Sequence, residues 1–223
     1  MGGYYSEKLS AERLRLCYEV APPRVKQYLE AEIEFVLKRI KPHHTVLELG
    51  CGYGRVLQRL VKKAKFVFGI DTSYESLILG RKILGERSCY LIRMNAARLA
   101  FKSQVFDAVI CIQNGISAFK VNQKILINEA IRVARAGGTV LFSSYSDRFW
   151  EERLRWFRIQ SELGLIGEID EGATGNGVIV CKDGFKATTI GPDEFISLTS
   201  DLNARTVITE VDGSSIFCEI RPE

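Results

Sequence analysis

The densest chemistry in this sequence lies in the run VLELGCGYG (46–54), where Glu48, Gly50, Gly52 and Gly54 alternate with other residues. Glycine lacks a Cβ, so the backbone can turn sharply there and a ligand can approach the main chain closely. A second signal follows. Asp71 ends the run KFVFGID, twenty-one positions after Gly50. A carboxylate so placed can accept hydrogen bonds from both hydroxyls of a ribose. Together these residues point to a nucleoside-bearing ligand resting on a glycine turn. A dinucleotide turn, G-x-G-x-x-G, would place its third glycine at position 55, where Arg55 stands. A tight turn with no ligand would also use glycines, and both readings stay open on this segment alone.

Other chemistries find less support. The six cysteines form no C-x-x-C pair, and the two histidines, His43 and His44, are adjacent, so no metal site is expected. Cys51 sits inside the glycine turn, but no histidine pairs with it in sequence. It reads as a small packing residue more readily than as a nucleophile. The net charge is +4, with lysines and arginines spread along the chain, and no basic tail or appended module suggests nucleic acid. No uninterrupted apolar stretch approaches the roughly 20 residues of a membrane span. MGGYYSEKLSAERLRL lacks the apolar core of a signal peptide, so a cytoplasmic protein with reduced thiols is expected.

The elements that must hold these residues follow from periodicity. Apolar runs TVLEL, KFVFGI, SCYLIRM, FDAVICI and GTVLFSSY read as strands. The segments GRVLQRLVKKA, YESLILGRKILG and NQKILINEAIRVAR read as helices between them. Such alternation predicts a parallel sheet with helices on both faces, and ligands then sit beyond the carboxyl ends of the strands. Two helices precede the sheet, over about 6–20 and from the prolines at 22 and 23 to Ile40. After Tyr145 a helix is expected over 147–163. A hairpin turning at Asp183-Gly184 follows, then a helix from Pro192 and a terminal strand pair turning at Asp212-Gly213.

At this point a family resemblance emerges. VLELGCGYG, GIDTSYESL, MNAARLAF, FDAVICIQNGI and IRVARAGGTVLFSS occur in the order and spacing of the motifs of class I S-adenosylmethionine-dependent methyltransferases, over about residues 45–146. The resemblance implies an α/β, Rossmann-like, seven-stranded and mostly parallel sheet with the last strand antiparallel between its neighbours. It implies a methyltransferase domain over 41–223 with an insertion at about 147–190; residues 1–40 precede it, and the amphipathic face of their first helix leads us to expect an N-terminal helical lid. The implied cofactor is S-adenosyl-L-methionine, leaving as S-adenosyl-L-homocysteine. Glu48 would meet its α-ammonium. The backbone of Gly50, Cys51, Gly52 and Gly54 would run beside it, and Asp71 would hold the ribose. Thr72, Asn95 and Ala96 would surround adenine, while Ile112 and Gln113 would meet the methionine end; a lid over the cleft would bring Tyr18 to the methionine end or the substrate. Asn95 stands where the family usually has aspartate. Its amide oxygen can accept the same bond without charge, or it can simply cap a turn.

QNGI (113–116) differs from the D/N-P-P-Y of enzymes that methylate base amines and resembles the loop of small-molecule methyltransferases. The expected partner is therefore a small-molecule methyl acceptor. Tyr5, Asn114, Tyr145 and Trp150 are the candidate acceptor residues, with helix packing an equal reading for Trp150. A nucleotide-binding oxidoreductase and a non-catalytic S-adenosylmethionine-binding protein remain as alternatives. The N-terminal segment reads equally as a lid or as a helix on the sheet's flank.

Overall fold

The computed structural model describes residues 4–85 and 89–223, with the backbone alone at residues 5 and 6. The chain opens with helices α1 (Tyr4–Glu7), α2 (Ala11–Glu19) and α3 (Pro23–Leu37). Alternation then begins with β1 (Thr45–Leu49), α4 (Leu57–Leu60), β2 (Phe66–Asp71), α5 (Tyr74–Leu84) and β3 (Cys89–Arg93). It continues through β4 (Phe106–Cys111), α6 (Gly115–Ala118), α7 (Gln123–Val133) and β5 (Ala134–Tyr145). Next come a 3-10 turn at Asp147–Phe149, α8 (Trp150–Glu162) and the short strands β6 (Ile179–Val180) and β7 (Lys186–Ala187). Helix α9 (Pro192–Thr199) leads to β8 (Ala204–Val211) and β9 (Ser215–Pro222).

Seven strands make one sheet in the order β3-β2-β1-β4-β5-β9-β8. Strands β1 to β5 pair in parallel, and β9 lies antiparallel between β5 and β8, as the sequence led us to expect. The order reverses between β1 and β4, which opens a crevice at their carboxyl ends. Register places Glu48 on β1 beside Gly69 on β2 and Ile110 on β4. A side chain at Gly69 would collide with the turn above it: its Cβ would stand 2.5 Å from Leu57 Cδ1 and 2.8 Å from Cys51 Sγ.

The central strands read as continuous apolar runs because helices cover both faces. One core packs α7 and α9 residues such as Leu126, Ile127 and Phe195 against Val109, Phe142 and Cys218. The opposite core sets Ile33 and Val36 of α3, with Leu57 and Leu77, against Val46, Ile110 and Phe217. A third cluster lies off the sheet. It joins Leu9, Cys17, Val25, Tyr28 and Leu29 from the first helices to Phe149, Trp156, Phe157, Ile179 and Phe185 from the 147–190 segment. Helix α3 thus has one end in the sheet's own core and the other in this cap. Hydrogen bonds tie the cap's two halves together: Trp156 Nε1 donates to Cys17 O (2.8 Å), Arg13 Nε to Leu165 O (2.8 Å) and the Tyr4 hydroxyl to Asp183 Oδ2 (2.6 Å).

Local differences from the sequence reading have physical causes. The helix expected over 6–20 is broken. Lys8 and Leu9 both donate to Tyr4 O, Leu9 is buried, and Ala11 takes a positive φ of 49° while donating to Ser76 Oγ at 2.9 Å. The helix expected over 54–64 shrinks to α4, because bonds of the i to i+3 kind, such as Arg59 N to Val56 O and Lys62 N to Arg59 O, tighten its ends. Helix α3 likewise stops at Leu37, with Arg39 N and Ile40 N bonded three residues back. Strand β5 starts at Ala134, ahead of the expected glycines, and a register shift between Phe106 and Ala108 absorbs the extra residues.

Candidate functional site

The crevice holds a cavity of about 230 Å³ at the carboxyl ends of β1, β2 and β4, roofed by the cap. The glycine turn forms one wall. Gly50 and Gly52 have φ of +74° and +53°, a region costly for residues with a Cβ. The N–H groups of Gly50 and Cys51 both donate to Ile70 O (2.8 and 2.9 Å), which pins the turn to β2. Gly54 stays behind the wall, where its N–H closes the turn on Cys51 O at 2.9 Å. Cys51 is buried and its thiol is pushed well up by burial, so it packs as a small apolar group with no nucleophilic character.

Asp71 is fixed by the backbone on either side of it. Its Oδ2 accepts from Gly52 N and its Oδ1 from Ser73 N, both at 2.8 Å. Ser73 in turn caps α5, accepting the Ser76 N–H at 3.2 Å. Burial pushes the carboxyl up, and those backbone bonds oppose the shift. A carboxylate offers about four lone-pair sites. Two are used here, so the edge toward the cavity can take the two hydroxyls of a ribose. Thr72 and Ser73 continue the same wall.

Glu48 is the group most changed by its surroundings. It is 4% exposed, its Oε2 has no hydrogen-bond partner, and burial raises its pKa to about 8 against the pull of Arg55. A buried carboxylate without a donor is unstable as an anion unless a cation arrives. Arg55, read in the sequence only as a missing glycine, lies at the wall with its guanidinium 4.6 Å above the Tyr18 ring. Its Nε and Nη2 are buried without partners.

The loop after β4 is held from an unexpected direction. Ile112 and Gln113 reach the wall, and Gln113 has a φ of +57°. Its N–H is shared between Glu32 Oε2 (2.7 Å) and Ser143 Oγ (2.8 Å). Glu32 comes from α3, 81 positions away, is fully buried and also accepts from the Ser215 hydroxyl. Burial lifts it to about 7 against those bonds. Sequence reasoning missed this residue, whose one signal is a carboxylate on the apolar stripe of a helix, between Leu29 and Ile33 on one side and Val36 on the other.

Asn95 and Ala96 line the wall beyond β3. The Asn95 amide oxygen accepts Ala97 N–H at 2.9 Å, so the turn-capping reading is realised, while a second lone pair remains for a ligand. At the cap end Tyr18 and Tyr145 are at the wall with Tyr53, Trp156, Phe157 and Gln160. Gln160 was not anticipated. It continues the buried α8 face of Arg153, Trp156 and Phe157 at helical spacing.

Two acceptor candidates stand elsewhere. Asn114, with φ of +62°, turns its amide away from the wall: Oδ1 accepts from Ser144 Oγ and Nδ2 donates to Thr188 O, both at 2.9 Å. Trp150 borders a separate surface opening with Ser146, Asp147 and Asn176. The Tyr5 side chain lies outside the described residues. Among the described residues no cluster of histidine, cysteine and carboxylate groups could hold a metal ion, and no helix is long and apolar enough to cross a membrane.

The orphaned Glu48 oxygen, the open glycine turn and the oriented Asp71 carboxylate fit an S-adenosylmethionine-sized amino-acid nucleoside. Comparison with known proteins bears on the same residues. A family model for a methyltransferase domain matches residues 46–138. No curated protein matches the chain. Among solved structures, the PH0226 protein from Pyrococcus horikoshii superposes with a TM-score of 0.66 at 21% identity, covering 91% of this chain and 92% of that one. A SAM-dependent methyltransferase from Methanosarcina mazei gives 0.61 at 18% identity, covering 84% and 97%. DhpI, in a complex with SAM and HEP, gives 0.65 at 20% identity, covering 98% and 94%. Residues 46–138 thus match a methyltransferase domain, and the strand order gives the chain the Rossmann-like fold of class I S-adenosylmethionine-dependent methyltransferases, a domain and fold whose cofactor is S-adenosylmethionine.

Proposed function

We propose that the protein methylates a small-molecule acceptor by in-line displacement inside the capped cavity. One observation carries the reading: the glycine turn and Asp71 at one end, and Tyr18, Tyr145, Trp156 and Phe157 at the other, border the same cavity. Bound S-adenosylmethionine supplies a methyl group activated by its sulfonium. The chain's own work is then to bind, orient and keep water out. Asp71 holds the ribose hydroxyls, and the Ala96 backbone with Asn95 borders adenine. Glu48 gives up its proton and takes the α-ammonium as a buried ion pair. Ile112 and Gln113, braced by Glu32, form the floor on which acceptor and methyl are aligned. Positioning of this kind can supply about 7–11 kcal/mol of barrier lowering.

Residues 1–40 and the 147–190 segment act as the cover, with 41–223 as the methyltransferase domain. Leu14 of α2 stands 3.2 Å from where a Gly52 Cβ would be, so the first helices lie directly over the turn. A crevice covered in this way suits a metabolite better than nucleic acid, and the reaction is placed in the cytoplasm, away from a membrane. Transfer of labelled methyl from S-adenosylmethionine to a metabolite panel tests the reading. Labelled product from an acid, amine, alcohol or thiol supports it; binding of S-adenosylhomocysteine with no transfer to any acceptor would favour a cofactor-binding regulator, and tight NAD binding in its place would favour an oxidoreductase.

A further inference from the structure

The cap end of the cavity carries an imbalance of its own. Among the described residues, the buried polar atoms without partners on the cavity wall are one acceptor, Glu48 Oε2, and four donors: Nε and Nη2 of Arg55, Nε2 of Gln113 and, at the cap end, Nε2 of Gln160. Gln160 is 3% exposed and sits on α8, outside every segment that the cofactor motifs supply. Leaving such donors unsatisfied costs about 1–3 kcal/mol each. A ligand that brings acceptor atoms removes that cost, and the planar guanidinium fork matches a carboxylate in particular.

The charges around the aromatic wall point the same way. Arg55 covers the Tyr18 ring at 4.6 Å, and the buried Arg153 lies 4.5 Å over the Tyr145 ring and 5.7 Å from the centre of Phe157. An aromatic cage that receives a cationic amine needs its ring faces free of other cations. Here the protein's own guanidiniums occupy them. The nearest carboxyls offset this little, because burial raises Glu48 to about 8 and Glu32 to about 7. Asp71 lies at the far end, tied to Gly52 and Ser73.

We infer that the methyl acceptor is an anion, a small planar carboxylic acid whose carboxylate is held by Arg55 and Gln160 against the Tyr18, Tyr145 and Trp156 rings. This rests on the methyltransferase reading above and narrows it to a substrate class. The rings supply flat apolar contact, and the Trp156 indole N–H is already committed to Cys17 O at 2.8 Å. Arg55 and Gln160, the guanidinium and amide donors left without partners beside these rings, are the groups assigned to the carboxylate.

Thermal shift on the intact chain, read separately from turnover, tests the inference. S-adenosylhomocysteine is added first, and a rise in Tm with it tests the cofactor reading alone. Acids are then compared with their own amides and amines: benzoate, benzamide and benzylamine; indole-3-acetate, indole-3-acetamide and tryptamine; hexanoate, hexanamide and hexylamine. The expected result is that the aromatic acids bind the S-adenosylhomocysteine-loaded protein at least tenfold more tightly than their amides or amines. Gln160→Leu and Arg55→Gln should each reduce that preference to within about threefold, with S-adenosylhomocysteine still bound. Amines bound as tightly as acids, or no acid preferred over its amide, would overturn the inference while leaving the cofactor reading intact. So would loss of S-adenosylhomocysteine binding in Arg55→Gln with the acid preference kept in Gln160→Leu, since the guanidinium would then serve the cofactor's own carboxylate.

Discussion

Replacing Asp71 separates what its carboxylate does for the fold from what it does for the ligand. The side chain accepts two backbone N–H groups at 2.8 Å, from Gly52 in the turn and Ser73 at the start of α5. Asp71→Ala orphans both donors, at about 1–3 kcal/mol each, so the unliganded protein should melt several degrees lower. Asp71→Asn keeps one oxygen for a backbone donor but removes the charge, and its NH2 group faces another donor. Two ribose hydroxyls donating to a carboxylate are worth about 1.5–3 kcal/mol each. Their loss predicts S-adenosylhomocysteine binding weakened at least about a hundredfold in either variant. Calorimetric titration gives the affinity, and the melting temperature without ligand gives the fold term. The result that refutes the reasoning is an Asp71→Asn protein that binds S-adenosylhomocysteine within threefold of wild type. The ribose would then lie elsewhere, and the aspartate would serve only to hold the turn.

Glu48 and Glu32 are both raised from about 4.5 in the unfolded chain to about 8 and 7 in the fold, so the folded state holds more protons between those values. Stability of the unliganded protein should therefore fall as pH rises from about 4.5 to 8, and Glu48→Gln should flatten the upper part of that slope in melts across the range. Affinity for S-adenosylhomocysteine should rise as pH passes through about 8 in wild type, where Glu48 ionises, and lose that rise in Glu48→Gln. Gly50→Ala should abolish cofactor binding and lower the melting temperature, because the new methyl would meet Phe119 Cζ at 2.3 Å with φ at +74°. Hydrogen exchange should show new protection across α1 and α2 when S-adenosylhomocysteine binds if the cap acts as a lid; protection already complete without ligand would mean static packing.

The glycine-turn end of the candidate site was legible because its geometry is local. Gly50 and Gly52 turn where the sequence said they must, and Asp71 ends β2 within hydrogen-bond reach of that turn. The hairpin turns at Asp183-Gly184 and Asp212-Gly213 were legible for the same reason, since turn chemistry is written in adjacent residues. The cap end was not, because it is assembled from distant parts. No spacing in the sequence links Glu32 to Gln113, and the direction of Asn114 is set by a positive φ that its residue type permits but does not require. Arg55 was weighed only against the glycine it replaces. Gln160 was overlooked because periodicity marks which residues face inward, not which of them stop short of a partner.

Strand β9 follows β8 in the chain yet lies between β8 and β5. During folding, β8 therefore has no sheet to join until β9 is present, and the edge of β5 stays unpaired in the meantime. The two strands form one antiparallel hairpin, closed by the turn at Asp212 and Gly213, and that hairpin is the unit that completes the sheet. The hairpin also carries Ser215, whose hydroxyl completes the bracing of Glu32, so the support of the loop at Gln113 depends on its docking. Assembly of this kind joins residues far apart in sequence and is intrinsically slow. Until the hairpin docks, the β5 edge is unpaired, and misassembly should therefore begin at this strand, beside the candidate site.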